Sequence, residues 1–439
     1  MLGLLWAGAQ ASAAETASID ALGFLPGSIR SIPRGVSADG GTVVGSSIPP
    51  GLEGRAFVWH AAGGMTALPT LLGDTHRSEA LAVSADGSVI VGDAENGLTY
   101  QFSPALAPLR WDNGKLTPLP FTGPASALAE AISADGSTII GQQDSDRILR
   151  WRNGRVETLA TDLPLITREM SLSATGREGV AVDYTTFKIY HWSDSVGVVT
   201  ARTSPSAYDG LGFYPQSAAI TADGQRFFAA GGSVGAATNR LSQWQGFADG
   251  LPVPMAPALL RYGVVSHLVT SASGNLLAAQ MRGSPTNVEE VALIIAPYGP
   301  LPLGPLLRAQ GADTSHWHAI TNLTAISADG RWVTGAGLTA PTEGSNRTLE
   351  AFRARLVLHA EGEPSLSLTR VRDDLNNRTT TELRWPATDL LVTVESVPAL
   401  HPELPWQTEE GIVRLSGNQI ILDPYQSDVP RLYRLRRLE

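Results

Sequence analysis

The chain has 439 residues, a net charge of −10 and no cysteine. The acidic balance, without any basic patch interleaved with aromatics, excludes a nucleic-acid partner, and the missing cysteines exclude disulfides, thiolate metal sites and cysteine nucleophiles. With 45 Gly and 29 Pro and little long helical periodicity, the composition predicts an all-β chain with many turns.

Met1 to Ala9 form an apolar run, and Ala11-Ser12-Ala13 is an A-x-A cleavage pattern, so residues 1–13 are expected to be a secretory signal. The usual basic start is missing, which fits either a start upstream of Met1 or an atypical signal. The run is too short to span a bilayer, and no other stretch is long and apolar enough. A secreted or cell-surface location in the bacterial periplasm or outside the cell is expected, with no transmembrane segment.

From residue 37 onward a short apolar strand runs seven times into Ser/Thr-Ala-x-Gly, then into further apolar residues and a small one. The copies start at Ser37, Ser84, Ser133, Ser173, Thr221, Ser271 and Ser327, a spacing in the range of four-stranded propeller blades. Ala-Asp-Gly between β-branched residues suits a tight hairpin whose Gly is left-handed. Asp39, Asp86, Asp135, Asp223 and Asp329 are expected to fold their carboxylates onto nearby backbone N–H groups. Thr175 and Ser273 replace Asp in the fourth and sixth copies, which a turn tolerates and a metal site does not. The small residues Gly45, Gly92, Gly141, Ala181, Ala229, Ala279 and Gly335 point to a close approach of backbone near a central axis.

A second signature, an apolar group ending in Trp59, Trp111, Trp151, Trp192 or Trp244, follows in five units. Burial of these rings between adjacent blades is expected, with sugar stacking as the sharper alternative. Each unit supplies about four strands. The seventh lacks its last one, and Ser18 to Gly27 resemble the missing piece, so an N-terminal strand should close the ring. Residues 18–359 are therefore expected to form one seven-bladed β-propeller.

Chemistry is sparse. His316-Trp317-His318 would place two imidazoles on one strand face and so offer a weak metal site, but nothing nearby in the sequence supplies a third ligand. No catalytic residue and no cofactor are expected. Past Ala360-Glu361-Gly362-Glu363-Pro364-Ser365, which reads as a linker, period-two alternation predicts a small β-sandwich over 365–439 that folds on its own. Arg431, Arg434 and Arg436 alternate with Leu and Tyr there, as in one solvated strand face.

The Ser-Ala-Asp-Gly turns with a following Ala56-Phe57-Val58-Trp59 resemble the bacterial extracellular HAF repeats, best over residues 35–45 with 56–59, 82–92 and 131–141. Leu383-Arg384-Trp385-Pro386, Pro405-Trp406-Gln407 and Leu432-Tyr433-Arg434-Leu435 resemble the fibronectin-III-like modules at the ends of exported bacterial proteins. The resemblance implies an exported β protein and carries no catalytic residue with it. Two functions follow as expectations: an exported, monomeric, non-catalytic propeller binding a glycan, a protein or a surface ligand, or an extracellular polysaccharide hydrolase or lyase with its site at the channel mouth.

Overall fold

The computed structural model describes residues 15–438 except 124–125, 145, 162, 164–165, 184–185, 202–212, 234–235, 247–250, 253–261, 283–287, 340–347, 360–362, 374–377, 399–403 and 425–430. The expected signal over 1–13 lies outside the described residues, as do residues 360–362 of the expected linker.

Residues 18–355 form seven four-stranded antiparallel sheets among the described residues. Six are built from consecutive strands; in the first, for example, Arg30–Val36, Thr42–Ile48, Arg55–His60 and Gly64–Ala67 lie side by side. The seventh takes three late strands, Trp317–Ile326, Trp332–Thr339 and Leu349–Arg355, and adds Ser18–Ala21 as the fourth, with Ser18 opposite Arg355 and Ala21 opposite Phe352. The first strand of the chain thus pairs with the last strand of the repeats.

Within a sheet, the first strand bulges, between Pro33 and Gly35 in the first sheet and between Ala80 and Ala82 in the second. The carbonyl pushed forward by the bulge meets the small residue of the second strand. A Cβ on Gly45 would fall 2.2 Å from the Ile32 carbonyl oxygen, inside any tolerable contact. In the fifth sheet the tight spot moves two residues on, from Ala229 to Gly231, where a Cβ would fall 1.9 Å from the Tyr214 oxygen. The small residues answer to the first strand of their own sheet.

Neighbouring sheets meet through clusters of buried side chains. Val44, Val58 and Leu68 of the first sheet pack with Ile90, Leu109 and Trp111 of the second, and comparable clusters join each later pair. Leu22, Leu25, Val43, Phe57, Trp59 and Ala351 join the seventh sheet to the first. All five signature tryptophans are buried, none more than 8 % exposed. The Nε1 of Trp111 donates to the Pro69 oxygen at 2.8 Å and that of Trp151 to the Pro120 oxygen at 2.6 Å, each reaching the preceding sheet. Sugar stacking on these rings is thereby excluded. At the junction of the seventh and first sheets, the Arg353 guanidinium lies over the Trp59 and Trp332 rings, 4.7 and 4.4 Å from their centroids, and donates to Asp20 and to the Gly40 oxygen. The arrangement is propeller-like, each sheet packed between two others.

The C-terminal region forms two antiparallel sheets. One contains Ser367–Asp373, Arg378–Pro386, Gln419–Pro424 and Gly411–Ser416, and the other Gln407–Thr408, Val392–Pro398 and Arg431–Arg437. The region expected to fold on its own packs extensively against the repeats. Leu383, Trp385, Leu390, Val413 and Leu422 belong to the same buried cluster as Ile294, Leu306, Val333 and Phe352. Trp385 packs edge-on against Tyr298 with centroids 4.9 Å apart. Gln310, next to the short helix Leu303–Ala309, is 2 % exposed and donates to the carbonyls of both Val357 and Ala387 at 2.8 Å. The Leu390 amide donates to the Leu358 oxygen at 2.9 Å. A unit of some seventy-five residues buries too little surface to be robust alone, and this one completes its core on the sixth and seventh sheets.

Candidate functional site

The Ser/Thr-Ala-x-Gly hairpins are built alike. In the second copy the Ser84 hydroxyl donates to Asp86 Oδ1 at 2.6 Å, the Ser88 amide donates to the same oxygen at 3.0 Å, and Ser84 Oγ accepts the Val89 amide at 3.0 Å. The hydrogen bond from Ser84, with those from Ser88, lowers the Asp86 carboxyl to about 2. Asp39, Asp135 and Asp223 are lowered by the hydroxyls of Ser37, Ser133 and Thr221 in the same way, and Asp329 takes the same pair of bonds from Ser327 and the Arg331 amide. These five aspartates close turns.

The turns also link to one another. The amide of Ala38 donates to the oxygen of Ala85, Ala85 to Ala134, Ala134 to Ala174, Ala174 to Ala222, Ala222 to Ala272 and Ala272 to Ala328, all at 2.8–3.0 Å. Six of the seven motif glycines sit on the preceding sheet at the residue five places past that sheet's Ser or Thr, while Gly274 meets Thr221 and Phe228 first. A Cβ on Gly87 would fall 2.5 Å from Thr42 Oγ1 and one on Gly136 2.8 Å from Val89 Cγ2. The first copy closes on the last: Gly40, at φ +69°, would place its Cβ 2.3 Å from Trp332 Cδ2.

Inside this belt lies a cavity of about 490 Å³, lined by the first strand of every one of the seven sheets and by all seven alanines of the motif. Its polar groups are not repeated around the ring, and some pair across neighbouring sheets. Glu79 accepts from Arg34 Nε at 2.7 Å and from Arg77 Nη2 at 3.1 Å, and Arg77 also pairs with the buried Asp93. Burial alone would lower the Arg77 guanidinium, but Asp93 and Glu79 outweigh it and hold it above its usual value. Glu130 accepts from Gln142 Nε2, and His267 Nε2 lies 3.0 Å from the Thr324 oxygen. Chemically the cavity offers an Arg–Glu pair on an otherwise small and aliphatic wall, the hydroxyls of Ser171, Ser217 and Ser266 being bonded to the backbone of Ile220, Leu268 and Gln280.

The sequence reading did not single out Arg34, Glu79, Glu130 or His267. Their signal was weak: each is a polar residue three to five positions before the motif Ser, and polar residues stand there in other copies as well, such as Arg168, Gln216 and Asn322. His316 and His318 are placed elsewhere. His316 precedes the strand Trp317–Ile326, is half exposed, and has Nε2 2.8 Å from Glu350 Oε2, while Glu350 also accepts the Gly23 amide at 3.0 Å. The pair belongs to the junction held by the N-terminal segment. Among the described residues no group of three or more His, Asp or Glu is placed to hold a metal ion.

No family model matches the chain. A search of curated proteins also returns no match. Among solved structures, a chain of "Crystal Structure of Mitotic Checkpoint Complex" is 16 % identical with a TM-score of 0.47, over 80 % of this chain and 96 % of that one. TolB from Acinetobacter baumannii is 16 % identical with a TM-score of 0.34, over 51 % of this chain and 54 % of its own. No helix among the described residues is long and apolar enough to cross a membrane.

Proposed function

We propose that residues 18–359 form a seven-bladed β-propeller of HAF-type repeats closed by the strand Ser18–Ala21, with a fibronectin-III-like β-sandwich over 365–439 seated on its last two blades. We further propose that the protein is exported and acts without catalysis, binding an extracellular glycan or surface protein at the axial cavity. The seven sheets, the belt of alanine hydrogen bonds and the contact of Gly40 with Trp332 support the ring.

The observation that carries the binding reading is the state of the cavity's carboxylates. A glycosidase needs two carboxyl groups flanking the bond, one kept protonated as an acid. Glu79 is instead paired with the guanidiniums of Arg34 and Arg77, and Glu130 is engaged by the Gln142 amide. The half-exposed Arg34 suits recognition of hydroxylated or carbonyl-bearing ligands.

The test is a glycan array with the full chain, paired with a reducing-end assay on the oligosaccharides it retains. Retention without turnover, weakened by Arg34→Ala, is the expected result. Turnover that disappears in a folded Glu130→Gln variant would make the protein a hydrolase or lyase and overturn the proposal.

A further inference from the structure

The second and third strands of the second sheet, Val89–Tyr100 and Ser103–Asp112, continue past the sheet as a protruding hairpin, with Tyr100 paired to Ser103. Its two turn residues are Gln101 at φ +47° and Phe102 at φ +66°. Such turns favour Asn-Gly because both positions are left-handed, and this protein uses that pair at Asn113-Gly114 and Asn153-Gly154. At the tip of the long hairpin a bulky aromatic occupies a conformation it disfavours. Phe102 is also fully exposed, at 103 %. Neither local conformation nor packing within this chain accounts for a phenylalanine there.

The surroundings share the feature. Leu98 stands on the same hairpin, and Leu72, in contact range of Gly97, lies in the connection leading into the second sheet. Leu52 lies between the second and third strands of the first sheet, and Ile29 immediately precedes its first strand. Strand direction puts all five at the end of the sheets opposite the Ser/Thr-Ala-x-Gly turns. They occupy four separate connections, so they form a set of projecting apolar tips and not a groove.

Several apolar tips at one end of the sheets, with Phe102 on the hairpin that extends farthest, fit a soft, penetrable surface better than a pocket. Charge decides which surface. Asn96 to Pro104 contain no charged residue, and the neighbouring connections balance Arg30, Arg55 and Arg77 against Glu53, Asp74 and Glu95. The polybasic character that draws proteins to anionic lipid is missing. We infer that this end of the protein docks on the interface of a zwitterionic lipid bilayer, with Phe102 and Leu98 inserted as the principal anchors. The inference does not depend on what the axial cavity binds.

Co-sedimentation of the full chain with phosphatidylcholine vesicles, at low and high salt, tests it. Expected are binding that salt does not weaken, because apolar insertion is unscreened, and about tenfold weaker binding for Phe102→Ser, the scale of losing one buried aromatic anchor. Both Phe102→Ser and Leu98→Ser alter exposed residues and should leave thermal unfolding unchanged. Val196→Ser, an exposed residue at the opposite end of the fourth sheet, should leave binding unchanged. The inference is overturned if the wild-type chain stays in the supernatant, if Phe102→Ser binds equally well, or if Val196→Ser loses binding alike. Self-association without vesicles that Phe102→Ser removes would assign the tips to a second copy of the chain and overturn it as well.

Discussion

The seven repeated sheets and the C-terminal region are both antiparallel β structure, yet they are held in different ways. Each repeat is fixed locally by its own hairpin and then by one cluster shared with each neighbour, so the same few contacts recur around the ring. The C-terminal sheets have no such period. They are held by one large cluster that runs into the sixth and seventh sheets through Trp385, Tyr298 and the residues beside Gln310. A repeated interface distributes stability around the ring, whereas the tail concentrates it at one seam.

The largest effect should come from opening the ring. Deleting residues 14–27 removes the fourth strand of the seventh sheet and the Leu22 and Leu25 contacts to the first, leaving an unpaired edge. Cooperative thermal unfolding should be lost or its midpoint sharply lowered, and an unchanged midpoint would mean that the first strand is dispensable. At the seam, Trp385→Ala should cost about 3–5 kcal/mol, the usual range for a buried aromatic. Because the tail shares its core, near-ultraviolet signals from the repeats and the tail should shift together in denaturant titrations. A loss confined to the tail would separate the two regions.

Smaller effects belong to the repeats. Gly40→Ala forces a left-handed backbone on an L-residue and meets Trp332, so about 1–3 kcal/mol should be lost. Gly114→Ala, at φ +82° but with open space around its Cβ position, should lose only the conformational part, as urea midpoints of the two variants would reveal.

The smallest effects concern the turn aspartates. Asp39, Asp86, Asp135 and Asp223 have lowered carboxyl values in the fold, Asp86 to about 2, against about 3.9 in an unfolded chain. A depressed value stabilises the fold above the unfolded value, and that contribution is lost as pH falls through the folded one. Melting temperature should therefore decline between about pH 4 and pH 2, and Asp86→Asn should slightly reduce the slope. Asn keeps the acceptor, so its cost near neutral pH should be about 1 kcal/mol or less.

Sequence legibility divides along the same line. The hairpins, the buried tryptophans and the pairing of Ser18–Ala21 with the last repeat were readable because each is local or repeated, and seven copies reinforce a weak signal. The close approach at Gly45 was readable too, although not which strand makes it: Pro33 and Gly35 mark the bulge in Arg30–Val36, whereas the matching bulge between Ala80 and Ala82 carries neither residue. The axial residues were harder. Arg34, Glu79, Glu130 and His267 come from four different sheets and stand at different offsets before the motif Ser, so no single repeated position marks them. The seam was least legible, because Trp385 and Tyr298 are 87 positions apart and nothing periodic connects them. A polar stretch at 361–365 looked like a boundary, while Leu356, Val357 and Leu358 just before it were already committed to the shared core.

Native-state hydrogen exchange on the full chain measures that shared core most directly. If the C-terminal sheets and the last two repeats form one cooperative unit, the amides of Trp385 and Val394 should exchange through the same opening, with the same free energy and denaturant dependence, as those of Val333 and Phe352. Exchange of Trp385 and Val394 through a separate opening of lower free energy, with Val333 and Phe352 still protected, would contradict it.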